Sequence, residues 1–420
     1  MDYDVVVVGG GTSGCAVAYT LGKAGKKVLL VEKSINLGGS MTSGLVTPMM
    51  KTSNKSINND FFNIFIDKMK SYNSAITYID GNRGWFNPEI AKIVLDELMQ
   101  DANVEVRFNT TLRNINITNR YITKLNFECN MLLVSIDAKY VIDATGNCDV
   151  GFLSNCNFLN KNDENQPTTL RFIMSGINLK EFGEWLLKFD ADRNVTTVAD
   201  IGGQTHLSTA YTWDIGKKWA LKPLFDDAVA KNIIKDEDRN YFQVFSIAGM
   251  PNSIAFNCPR IISDKDENPL NVTVLSKNVM QARASILRLS NFCKKYLKGF
   301  ENAYISSISS TIGVRVSRRL KGKYVFTYDD IKTSKKFENP VLISDYPVDV
   351  HSTDKNSSVL EQVLSEYQLP VESLMSADID NLFVVGRCVS ADFMAQGAIR
   401  IIPSCFSMGE GLAKYMLKNL

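Results

Sequence analysis

The residues with the most chemistry in their spacing are three glycines and one acid near the start of the chain. Gly9, Gly11 and Gly14 make G-x-G-x-x-G within DVVVVGGGTSGCAVAYTLGKAGKKVLLVE, which runs from Asp4 to Glu32. Gly9 permits a tight turn, Gly11 lets a pyrophosphate approach the backbone, and Gly14 lets a helix lie close to a strand. Unpaired N–H groups at the helix start, around Thr12 and Ser13, then face phosphate oxygens. The carboxylate of Glu32 is placed to accept hydrogen bonds from an adenosine ribose. Other reactive types are sparse. His351, in YPVDVHS, has the titration range of a general acid. Cys405 lies just before a small-residue helix start, where a thiolate gains stability, and Arg315, Arg318 and Arg319 have the density of a carboxylate clamp. A loop histidine, a buried inert thiol and a solvated basic face are the plainer readings, and for His351 and Cys405 the plainer one is favoured.

These residues need elements to hold them. Asp4 to Val8 is a β-branched run of the kind buried on both faces of a parallel sheet. Small and apolar residues follow at helical spacing from Ser13 to Ala24, and a second strand, Lys27 to Val31, ends at Glu32. The spacing predicts a βαβ unit, the context that gives the glycine motif its meaning as a dinucleotide site. Lys33 and the loop LGGSMTSG, with Gly38, Gly39, Ser40 and Thr42, are placed to lie along an extended cofactor. Helices are predicted over Ser56 to Ser71 and over Pro88 to Asp101, the latter opened by proline. From Val104 the period changes to two. A strand and a meander, Leu112 to Thr118, Tyr121 to Glu128 and Leu132 to Ile136, precede Tyr140 to Gly146, an apolar strand that stops in Ala144, Thr145 and Gly146.

Residues 151–327 differ in texture, with charged helical stretches over Leu179 to Phe189 and Asn278 to Phe300, and with Trp185, Trp213 and Trp219 read as core before substrate platform. They are assigned to an inserted α+β substrate or cap domain. Residues 1–150 and 328–420 form the discontinuous Rossmann-like domain of an α/β fold, a parallel sheet with a β-meander. Asn381 to Arg387 is its last buried strand, ending at Gly386 and Arg387, and Arg400 and Ile401 lead into a helix over Phe406 to Leu417.

The chain has 420 residues, 45% of them hydrophobic and 22% charged, with a formal net charge of +2. That is enough for two or three domains. It gives no electrostatic case for nucleic acid, and no apolar run reaches the length of a membrane span. Asp2 and Asp4 stand where a signal peptide needs positive charge, so a cytoplasmic location is the default. The eight cysteines contain no C-x-x-C, and with two histidines in the chain a metal site is not expected.

The chain resembles a bacterial family of FAD-dependent oxidoreductases related to fumarate reductase flavoproteins and to the flavin subunit of heterodisulfide reductase. The resemblance spans nearly the whole length. It rests on GGGTSG with Glu32, LGGSMTSG, FNPEIAKIVLDELM, VIDATG, GVRVSRRLKGKY from Gly313 to Tyr324, and NLFVVGRCVSADFMAQGAIRIIPSCFSMGEG. It implies noncovalent FAD, with the pyrophosphate at Gly9 to Gly14, the ribose at Glu32, adenine near Leu112 and the isoalloxazine against the segment from Arg400. Arg400 would then stabilise reduced flavin or a substrate carboxylate, or else serve as a structural partner for a carbonyl or carboxylate. The family pattern has Glu where this chain has Val316, His where it has Phe393, and Asp where it has Asn147, so the implied proton relay is altered. Neither a second nucleotide motif nor iron-sulfur cysteines are present, so an external electron donor or acceptor is expected, either another protein or the substrate itself. The expected reaction is hydride transfer between flavin N5 and a small organic substrate. A flavin monooxygenase, or an electron-transfer subunit with a partner protein, is the alternative.

Overall fold

The computed structural model describes the chain except for residues 51–55, 79–80, 82, 160–164, 213–218, 264–266 and 352–357. Trp213 lies outside the described residues. The central strand is β1 (Tyr3–Val8), followed by helix α1 (Thr12–Lys23) and strand β2 (Val28–Val31). Three short strands complete a parallel sheet: β3 (Glu105–Arg107), β4 (Ala138–Asp143) and β5 (Leu382–Val384). The order across it is β5-β4-β1-β2-β3, with Val7 opposite Leu30 on one side and Ile142 on the other.

The two-residue period of β1 divides its side chains between two cores. Val5 and Val7 join Leu30 and Ile142 under α1 and the last helix, while Val6 and Val8 join Leu29, Val31 and Val141 under the meander residues Ile122, Leu125 and Phe127. Val6 and Val7 are fully buried. Burial of a valine side chain stabilises by roughly 1.5–3 kcal/mol, so a strand valine-rich on both faces is held on both. The meander itself is Thr111–Thr118, Tyr121–Cys129 and Leu132–Ile136, paired antiparallel.

A second sheet is antiparallel and six-stranded, in the order Thr197–Ile201, Gln204–Thr212, Tyr241–Ile247, Met250–Phe256, Phe172–Ser175, Tyr304–Ile308. Helices Leu179–Phe189 and Val272–Tyr296 contribute Phe182, Leu186, Leu289 and Phe292 to its core. Trp219 packs in that core with Phe225, and Trp185 stacks on Phe182 and Phe189.

Several element ends fall elsewhere than the periodicity predicts. Helix Val272–Tyr296 starts six residues before Asn278, because the Asn271 side chain accepts from the Thr273 N–H at 2.9 Å; Asn278 sits inside the helix and bonds Ser263. The last helix, α2 (Ile402–Asn419), starts before Phe406 with Pro403 in its first turn. Helix Asp60–Ser71 starts late because Asn58 takes a left-handed conformation. A short helix at Phe393–Ile399, capped by the Asp392 carboxylate on the Ala395 N–H, was not anticipated. Among the described residues no helix is long and apolar enough to cross a membrane.

Candidate active site

The glycine turn joins β1 to α1. Gly9 has φ +105°, and a Cβ there would lie 2.5 Å from the Ala144 carbonyl oxygen, so the β1 and β4 ends approach as close as backbone allows. Helix α1 begins after Gly11 without a side-chain cap, Gly11 bridges in parallel to Gly38, and the N–H groups of Ser13 and Gly14 have no acceptor among the described residues. The Thr12 hydroxyl donates to the Gly38 carbonyl at 3.3 Å, which brings the Gly38 to Thr42 loop beside that turn. Within the loop Thr42 spends its hydroxyl on the Leu37 carbonyl. Glu32 accepts the Gly10 and Ser34 N–H groups, each at 2.8 Å, on its two carboxylate oxygens. Lys33 and Ser40 are exposed, Gly39 is half-buried, and Leu112 is half-buried against the meander core.

At the end of β4 the buried carboxylate of Asp143 accepts from the Thr145 N–H and hydroxyl and from the Gly151 N–H, which stops the strand and shapes the Ala144 to Gly146 turn. Arg387 closes that turn from the other end of the chain. It donates to the Gly146 carbonyl at 2.7 Å, to the Val314 carbonyl and to Asn147 Oδ1 at 2.6 Å. Asn147, where the family pattern has Asp, is thus an uncharged acceptor for Arg387. Val316 is buried, and Phe393 packs against the sheet's helical core. Asp143, Cys148 and Cys388 bring ligand atoms within 4.8 Å of one another. Those atoms serve the turn, since Cys388 Sγ accepts the Cys148 N–H at 3.0 Å.

The last helix reaches the same place. Gly386, with φ +73°, lies against the Ser13 side chain, and a Cβ on Gly409 would lie 2.5 Å from the Ser13 carbonyl oxygen, so α1 and α2 cross at backbone contact. Ile401 is the N-cap residue of α2. Cys405 lies inside the first turn rather than before it, and burial pushes its thiol up to about 11 against the opposing effects of Ser13, Arg387 and Arg400. It is a neutral thiol at neutral pH.

The arginines of the VRVSRR stretch diverge. Arg318 turns to the Asn147 carbonyl and Asp149, both at 3.2 Å, and Arg319 is buried with a bond to the Ala391 carbonyl. Only Arg315 of the three turns toward Arg400, donating to the Pro167 carbonyl at 2.5 Å. Arg400 donates to the Asp349 carbonyl at 2.6 Å and stands 3.9 Å from its carboxylate. His351 stands between Arg260, 2.9 Å from Nδ1, and the Asp349 carboxylate, 3.5 Å from Nε2. A guanidinium only donates, so Nδ1 is the acceptor and Nε2 carries the proton. Burial, then Arg315, Arg260, Arg400 and Arg171, hold its pKa well below the usual range. The candidate general acid is therefore a neutral imidazole at neutral pH.

Comparison with known protein families matches residues 4–415 to the family described as FAD dependent oxidoreductase. The chain belongs to this family. FAD is its cofactor and it is an enzyme. The FAD-dependent oxidoreductase oblC of Cochliobolus heterostrophus is 48% identical over 54 residues, which cover 13% of this chain and 11% of that protein. The thiamine thiazole synthase of Pyrococcus horikoshii is 26% identical over 157 residues, 35% of this chain and 58% of that protein. The chain thus matches only part of these curated relatives. Among solved structures, the myxobacterial chondrochloren halogenase CndH shares the fold with a TM-score of 0.50 at 10% identity, covering 100% of this chain and 76% of that one.

In this flavoprotein the residues that sequence reasoning missed are Arg171, Arg260, Asp349, Gln166 and Tyr241, all beside Arg315, His351 and Arg400. Arg260 lies with its guanidinium carbon 3.3 Å from the Tyr241 ring centroid. One signal was available: Arg171 and Arg260 are lone charges in apolar strand segments, LRFIM and PRII, where a charge is costly unless it has work to do.

Proposed function

We propose that FAD lies extended from the Gly9 to Gly14 turn to the N-terminal end of α2, and that the enzyme moves a hydride between flavin N5 and a small organic molecule. The observation that carries this is the uncapped first turn of α1, whose Ser13 and Gly14 N–H groups stand without acceptors among the described residues, beside the Gly38 loop. A pyrophosphate is the group such a turn accepts. Glu32 keeps lone pairs for ribose hydroxyls beyond those used by Gly10 and Ser34. Leu112 would cover the adenine, and Ala144, Thr145, Gly146, Gly386 and Arg387 would line the extended path. Kinship with fumarate reductase flavoproteins, a 151–327 substrate domain and an external electron partner belong to the same proposal.

When bound, the cofactor supplies hydride acceptance and donation at its ring. The chain's own groups bind, orient and hold charge. The N-terminal end of α2, capped at Ile401 and with Arg400 adjacent, would stabilise negative charge at the reduced ring. Asp349 orients both Arg400 and the His351 ring. Cys405 and His351, both neutral, bear no charge in the resting site.

The test is an absorbance spectrum of the purified protein, then anaerobic reduction with dithionite and exposure to air. Flavin bands that bleach and return support the reading. Slow reoxidation assigns dehydrogenase-like chemistry, whereas rapid oxygen consumption with hydroxylated product assigns the monooxygenase. Protein that stays colourless after incubation with FAD would overturn the assignment.

A further inference from the structure

Three separate segments meet at Thr169. It pairs antiparallel with Arg260 on one side and bridges to Gly313 on the other. That register brings Arg171, Arg260 and Arg315 from three separate segments toward one place, Arg260 from a strand and the other two from the irregular stretches beside Thr169 and Gly313, and the hairpin strand Val348–His351 brings Asp349 and His351 with Arg400 behind them. All four arginines are recessed but none is closed off from solvent. Arg171 makes no side-chain hydrogen bond among the described residues, and no carboxylate acts on it. Two further polar groups wait there. Gln166 is 3% exposed; its Oε1 accepts the His351 N–H at 3.1 Å, which fixes the amide orientation and leaves the Nε2 donors without a partner. The Thr169 hydroxyl, on a residue also 3% exposed, has none either.

We propose that Arg171, Arg260, Arg315, Arg400 and the Gln166 amide form the substrate pocket, and that its ligand is a small organic dianion, a dicarboxylate or a phosphorylated acid. Among the described residues Asp349 is the one carboxylate acting on Arg260, Arg315 and Arg400, none acts on Arg171, and the imidazole between them is neutral. Burial lowers all four guanidinium groups, with repulsion from a neighbouring arginine added at Arg171, Arg260 and Arg315: Arg171 is pushed down to about 10, and the other three are lowered too. Unbalanced buried charge is costly, and a dianion gives Arg171 and the Gln166 amide the partner they lack and adds charge-assisted, bidentate bonds to the arginines beside them. A neutral or cationic substrate leaves the surplus in place. The inference deepens the flavoenzyme reading and rests on it for the substrate's role; anion binding itself does not need the flavin.

The experiment titrates the purified protein with malonate, inorganic phosphate and neutral malonamide, reading the thermal midpoint and the flavin difference spectrum. Malonate or phosphate is expected to saturate and raise the midpoint, and malonamide to do neither; which anion binds tighter separates carboxylate from phosphate. Arg171→Met is expected to weaken the anion at least tenfold, and Arg171→Lys, which keeps the charge, to lose less. Equal responses to malonate and malonamide, no saturable anion response, or unchanged affinity in Arg171→Met would overturn the pocket. Should Arg171→Met not fold, Gln166→Leu takes its place with the same expected direction. A thermal shift with anion in protein that never takes up FAD would sink the flavin reading while supporting the anion pocket, so the two fail separately.

Discussion

A methyl group on Gly14 would run into the Gly9 carbonyl oxygen, backbone that cannot move without opening the turn. Gly14→Ala is therefore expected to lose most bound flavin, read as flavin absorbance per protein after gel filtration with excess FAD. Glu32→Gln keeps an acceptor but donates where a ribose hydroxyl must donate. An FAD affinity roughly tenfold lower, about 1.4 kcal/mol, is the expected result by fluorescence titration. These glycines and Glu32 were legible in the sequence because their geometry is local: a turn and two strands within Asp4 to Glu32. Arg171 and Arg260 were not, because what unites them is the pairing of Thr169 with residues far along the chain. His351 and Cys405 were found by type, yet their charge states depend on neighbours that no spacing reveals.

At the scale of elements, the periodicity located the βαβ unit, the meander and the long helices, and missed where several of them begin. Ends are set by single side chains. Asn271→Ala removes the cap of the 25-residue helix and is expected to cost about 1 kcal/mol in urea unfolding. The crossing of α1 and α2 is a stiffer constraint, since Gly409 touches the Ser13 backbone. Gly409→Val forces the helices apart, with an expected loss of about 1–3 kcal/mol and weaker FAD retention, because Ser13 also belongs to the turn proposed to hold the pyrophosphate. A variant that unfolds earlier but holds FAD as tightly as the native chain would separate the packing from the site. The six-stranded sheet of residues 172–308 showed in the sequence only as a change of texture, its strands being short and their partners distant.

For the whole molecule, both histidines are held below their ordinary pKa. Burial lowers His206, bonded to Ser246, to about 4, and burial with the arginines holds His351 well below its usual range. The unfolded chain takes up protons on both near pH ~6.5 while the folded chain does not, so their contribution makes stability fall as pH drops from there toward about 4. The slope is at most about 1.4 kcal/mol per pH unit for each histidine. Urea unfolding between about pH 7.5 and about pH 5 should show it, and His206→Gln should flatten it. The parallel sheet carries a different consequence. Strand β5 and helix α2, which finish the sheet and cover α1, are made some 370 residues after the glycine turn. At roughly 5–20 residues per second, the nucleotide-binding half stays unfinished for roughly 20–70 s of synthesis, with one apolar face of α1 uncovered throughout. Time on the ribosome, as much as any contact in the finished fold, is what this enzyme must survive before it can hold its flavin.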